Sequence, residues 1–193
     1  MQVKLLILMG MFKMKKSMIS VATSLGLSSV VLLASASAFA NNTITFNGEV
    51  TDQTCSVTVN GNASNPVVLL ETVSAAMLKE AGSTAGAKTF SVGITGCTAP
   101  QAKIDVTTVF VANGVTDKGN LLNTGDAKNV ALQIMDTEGK AVNLSSPAEL
   151  SGLVLEVGST SASTEFGVAY ISENGGATPG SVTGALQYAV VYN

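Results

Sequence analysis

The chain of 193 residues contains no histidine, no tryptophan and no arginine; all ten of its basic residues are lysines. Each absence closes off chemistry. Without histidine there is no Ser-His-Asp or Cys-His relay, and no imidazole to ligate a metal. Nucleic-acid binding needs clustered cations that displace counterions from phosphate, and no such cluster occurs, so no nucleic-acid partner is expected. Aromatic residues make up 5% of the chain, so a stacking platform for sugars is poorly provided. No GxSxG, P-loop or GxGxxG pattern is present. The run Asp117-Lys118-Gly119-Asn120 falls short of a calcium loop. Asp105, Asp136 and Glu165 would serve glycoside hydrolysis only if the fold brought them together. In a β-rich chain such acids more often face solvent. The expectation is a protein that is not an enzyme and carries no cofactor and no metal.

Long apolar runs are confined to the beginning. Lys15 and Lys16 form a basic region, Met18 to Leu33 is mostly apolar, and Ala38-Phe39-Ala40 has the small-residue spacing of a cleavage site. Residues 1–40 therefore read as a signal peptide, with Met14-Lys15-Lys16 the more natural start. The apolar core is short and serine-rich, unlike a membrane anchor. Residues 41–193 keep six of the lysines against all thirteen acidic residues. This acidic balance suits a soluble exterior protein of one ordinary domain.

Cysteine is scarce as well. Cys55 and Cys97 are the only two. In an exported chain the simplest reading is one disulfide. It closes a loop of roughly 40 residues and contributes about 3–4 kcal/mol on the chain-entropy model. No CxxC spacing and no histidine are available to activate a thiolate.

What the chain has in quantity is short β-rich runs between turn residues. They are Ser56 to Val59, Val67 to Leu70, Thr89 to Thr95, Lys103 to Phe110, Val130 to Met135, Leu153 to Val157, Glu165 to Ile171 and Ala185 to Tyr192. Asn60-Gly61-Asn62, Asn113-Gly114, Glu138-Gly139 and Asn174-Gly175-Gly176 are among the breaks. Many short strands at turn-bounded intervals predict an all-β sandwich or barrel. Ser74 to Ala81 differs: helix formers, a Val73/Met77 pair and Gly82 as a stop predict one or two helical turns over a sandwich edge. Gly82 to Ala87, small and polar, is expected to be a mobile loop.

Both ends of the mature chain alternate. Ile44, Phe46, Gly48 and Val50 share one face of an extended strand at the start. Leu186, Tyr188, Val190 and Tyr192 share one face at the end, and Asn193 is terminal. Gly180 is fourteenth from the C-terminus. With the leader and the cysteine pair, these features resemble the structural subunits of chaperone–usher, type 1-like fimbriae. That family shows a glycine fourteen from the end, alternating apolar residues after it and a penultimate tyrosine. It also shows an N-terminal extension with the pattern of Ile44, Phe46, Gly48 and Val50. Leu78 to Gly82 and Ala177 to Gly180 are similar to major rod subunits.

The resemblance implies an incomplete immunoglobulin-like sandwich lacking its last strand and completed by a donor strand from another chain. Residues 41–53 would be the donor-strand extension and 54–193 the pilin domain. Ile44, Phe46 and Val50 would enter the groove of the next subunit, with Gly48 where no side chain fits. Gly180, Leu186, Tyr188, Val190, Tyr192 and Asn193 would meet the chaperone or border the groove. The implied partners are a periplasmic pilus chaperone, an outer-membrane usher and neighbouring subunits. The implied place is the cell surface, reached through the periplasm. Only Asn41, Asn42 and Thr43 precede Ile44, which suits a minor linker or tip-adaptor subunit, the alternative within the family. Outside it, the alternative is a secreted carbohydrate-binding module or hydrolase.

Overall fold

The computed structural model describes Gln53 and residues 55–193. The leader and the extension residues Ile44, Phe46, Gly48 and Val50 lie outside the described residues. Among the described residues seven strands form in chain order: β1 (Ser56–Val59), β2 (Ser83–Thr95), β3 (Ile104–Ala112), β4 (Ala131–Met135), β5 (Ala148–Leu155), β6 (Ser161–Ser172) and β7 (Leu186–Tyr192). They make two sheets, ordered β1-β2-β6-β4 and β5-β3-β7, with every pairing antiparallel. The architecture is an immunoglobulin-like sandwich.

Period-two alternation builds the core. Val92 and Ile94 on β2, Val106 and Phe110 on β3, and Phe166 and Val168 on β6 all point inward and are buried. Phe110 meets Phe166 edge-on with ring centroids 5.1 Å apart, and Phe90 lies 6.1–6.2 Å from both. These three rings join the two sheets and form the centre of the larger apolar cluster. A smaller cluster of Ile94, Cys97, Val106, Leu153 and Leu155 closes one end, with Cys55, Val190 and Tyr192 packed against it. Cys55 and Cys97 form a disulfide at this end. Cys55, just before β1, therefore lies beside the end of β7.

Local signals explain several boundaries. Asn60-Gly61 makes a two-residue hairpin turn, with Val59 and Asn62 exchanging main-chain hydrogen bonds of 2.9 Å. Ser74 caps a short 3-10 turn, Ala75–Leu78, its hydroxyl accepting from the Ala76 amide at 3.3 Å. The buried residue of that turn is Leu78; Met77 is exposed, so the Val73/Met77 spacing is not a core pair.

Three expectations need correction. Residues 83–85, read as mobile loop, begin β2 and pair with 170–172 of β6. A bulge between Ala85 and Lys88 carries Gly86 at φ +62° and lets the long strand resume register. β5 starts five residues before the run expected at Leu153, because pairing with β3 overrides the poor strand propensity of Glu149, Ser151 and Gly152. Val67 to Leu70 is extended but is not a strand, since nothing among the described residues pairs with it.

Candidate functional site: an apolar groove between two unpaired edges

A groove of about 560 Å³ opens on the core of the sandwich. Its floor is the larger apolar cluster, presented by Phe90, Phe110, Leu132, Ile134 and Val168. One wall is the start of β7, with Leu186 and Tyr188, and the segment 182–184 before it. The other wall is a lip formed by residues 66–70. Both walls turn apolar side chains inward and leave them only half covered.

β7 is zipped to β3 over its whole length, from Val106↔Tyr192 to Ala112↔Leu186. Its other edge has no strand partner among the described residues. Asn193 ties its end down: the amide donates to the Asp105 carbonyl at 2.9 Å and Nδ2 to the Thr107 hydroxyl at 2.8 Å. Before β7, residues 178–183 run beside 123–128. The Thr124 amide donates to Thr183 O at 2.8 Å, Ala127 N to Ser181 O at 3.0 Å, and Thr178 N to Lys128 O at 3.0 Å. Asp126 accepts from the Ser181 hydroxyl at 2.8 Å, and Asn123 Oδ1 accepts from the Thr183 amide at 2.9 Å.

Gly180 belongs to this ladder and not to the groove lining. A Cβ there would press into the main-chain nitrogen of Ala127, as one on Gly125 would press into the Ser181 carbonyl. The two glycines let two backbones approach closely. Of the C-terminal residues expected at the groove, Leu186 and Tyr188 line it. Val190 and Tyr192 continue the same inward face onto the smaller cluster beside the disulfide. Asn193 is held on β3, as above.

The lip is built differently. Val68 and Leu70 pack on the core cluster, while Val67 and Leu69 are 73% and 75% exposed. From residue 63 to residue 73 no main-chain group bonds to another main-chain group among the described residues. One side chain reaches it: the Tyr170 hydroxyl donates to the Glu71 carbonyl at 3.2 Å. Tyr170 stands on β6 in line with Phe166 and Val168 and also lines the groove. Sequence reading placed the strand but passed over this residue; the alternation of Phe166, Val168 and Tyr170 was the available signal.

Among the side chains lining the groove, those of Tyr170, Thr183 and Tyr188 are polar and the rest are apolar. Elsewhere the acids have structural roles. Asp105, exposed on β3, pairs at 2.9 Å with Lys103 just before the strand. Asp136 accepts from the amides of Glu138 and Lys140 and closes a turn, and Glu165 is exposed on β6. Glu173 accepts from the Thr116 hydroxyl and from Asn120 Nδ2, clasping the 116–120 turn to the loop after β6. Among the described residues no group of three or more His, Cys, Asp or Glu side chains is placed to hold a metal.

Comparison with known proteins fits this geometry. The family described as Fimbrial protein matches residues 44–193. The chain is 35% identical over 173 residues to the F17 fimbrial protein of Escherichia coli, covering 83% of this chain and 94% of that protein. It is 34% identical over 164 residues to the major fimbrial subunit SMF-1 of Stenotrophomonas maltophilia, covering 80% and 94%. In fold it resembles the P pilus rod subunit PapA, with a TM-score of 0.52 at 12% identity over 72% of this chain and 99% of that one.

Proposed function

The chain belongs to the fimbrial protein family and is a structural subunit of a surface fimbria, and from that premise we propose that it polymerises by accepting the extension of a neighbouring subunit into its groove. One observation carries the reading: two facing backbone edges, β7 and the lip, are both unpaired among the described residues and flank an apolar floor. A single extended strand between them satisfies two ladders at once. Its alternate side chains enter the groove. This is strand addition of the donor-complementation kind.

Residues 41–53 supply the donor. Ile44, Phe46 and Val50 fill the groove, each contributing roughly 1.5–3 kcal/mol of apolar burial. Gly48 passes where the strand lies closest to the floor. Because the extension of one copy enters the body of the next, the contact is head-to-tail and does not close, which generates a filament. Residues 54–193 are the repeating body, and residues 1–40 direct export.

Before assembly the same groove needs a temporary occupant. We assign that part to a periplasmic chaperone, whose strand covers β7 at Leu186, Tyr188 and Val190, with exchange at an outer-membrane usher. The likeness to the SMF-1 major subunit over most of both chains favours a major over a minor role. The family is one of structural proteins, and no observation favours the hydrolase or carbohydrate-binding alternative.

Gly48→Arg tests the reading. A long charged side chain cannot enter the apolar groove without an unpaired charge. The variant should therefore give no fibres, while the melting temperature of the chaperone-held subunit stays at the wild-type value. Phe46→Asp should behave alike. Normal fibres with a large fall in melting temperature would show instead that residues 44–50 are an internal strand.

A further inference from the structure

We propose that Tyr170 is the latch of the groove's lip: a positioning residue whose bond to the main chain governs how readily the lip yields to an incoming strand. The proposal rests on the strand-uptake reading above and adds a residue to it.

Three observations converge on this tyrosine. First, residues 63–73 have no main-chain partners among the described residues, between the turn ending at Asn62 and the Ser74 cap. Second, the hydrogen bond from the Tyr170 hydroxyl to the Glu71 carbonyl, at 3.2 Å, reaches into this stretch near its end. Third, the ring is seated by a bulge made for it. A Cβ on Gly86 would lie 2.8 Å from Val73 Cγ1 and 3.0 Å from Tyr170 Cδ2, so only glycine leaves both neighbours their place.

The same ring lines the groove. One side chain thus touches the space an entering strand fills and holds the wall that must make room. Its hydroxyl end is the only polar part of it. A phenol is protonated at neutral pH and can donate, and partial burial raises its pKa further. The bond is neutral and singular, which suits a latch that must open: it fixes the wall yet is lost in one step. β7, held by seven paired residues, has no comparable freedom.

The test uses the full mature chain and a labelled synthetic peptide with the sequence of residues 41–53. Tyr170→Phe removes the hydroxyl and keeps the ring. Peptide uptake and release should both quicken about three- to tenfold, the factor that loss of one neutral hydrogen bond corresponds to. Backbone order parameters of residues 67–73, measured before peptide is added, should fall, while those of β2 and β6 keep their wild-type values. Glu71→Ala retains the accepting carbonyl and should change neither rate. Unchanged order parameters at 67–73 in Tyr170→Phe, unchanged peptide rates, or an equal effect from Glu71→Ala would each overturn the latch. Failure of the wild-type chain to take up peptide would overturn the strand-uptake reading, and the order parameters would still report whether Tyr170 pins the lip.

Discussion

The two walls of the groove start from similar sequence and reach different states. Val67 to Leu70 and Leu186 to Tyr192 are both short apolar runs that read as strands. The second is a strand of seven residues paired to β3; the first is an extended lip with no backbone partner among the described residues. Apolar β-formers are common to both, so propensity does not separate them. Pairing does. β7 has a strand neighbour on one side, whereas the lip has none among the described residues. On the strand-uptake reading, one donor strand would pair with both the lip and β7.

The difference can be broken from the β7 side. Cys97→Ser has the largest expected effect. The disulfide sits in the small cluster on which Val190 and Tyr192 rest, so its loss loosens the end of β7. It should also return about 3–4 kcal/mol of chain entropy to the unfolded state, read as a lower denaturation midpoint and lower periplasmic yield. Labelling of both thiols in the intact wild-type protein would contradict the premise.

Gly180→Ala should come next. A Cβ forces residues 178–183 away from Asp126 and Ala127 and unseats the ladder that leads into β7. The expected cost is about 1–3 kcal/mol, within the range of overpacking and backbone strain. Urea unfolding measures it, and a cost near zero would mean the ladder does not hold this wall.

Thr108→Val is the smallest change and the one of opposite sign. Thr108 is fully buried on β3 opposite Val190, and its hydroxyl has no hydrogen-bond partner among the described residues. Replacing it with an apolar group of the same shape removes a desolvated hydroxyl and should stabilise by about 1 kcal/mol. A loss of stability would reveal a partner for that hydroxyl. None of these three substitutions should alter backbone order parameters in the lip selectively, whereas Tyr170→Phe should; that contrast is the sharpest form of the comparison.

Much of this was legible in the residue pattern. Alternation located β1, β3, β4 and β7 to within two residues, and the Asn-Gly and Gly-rich breaks fell where the chain turns. Leu186 and Tyr188 were singled out and do line the groove. Other features were hidden for physical reasons. Residues 83–85 are small and polar, and only the ladder offered by 170–172 makes them a strand. Gly180 stood out by its place in the chain, yet its job, a close approach to Ala127, depends on a backbone more than fifty residues away. Tyr170 gained its meaning from a carbonyl 99 residues distant.

By itself the sequence determined the class of the protein: a β-sandwich body, a cysteine pair and two alternating terminal runs, the pattern of the fimbrial family. Those are local properties of composition and period, readable wherever a strand's own residues specify its two faces. The tertiary structure alone decided which apolar runs find partners, which glycines lie between crossing backbones and which single hydroxyl holds the lip. Each of those is a contact between distant segments, and no period within a segment encodes the position of another.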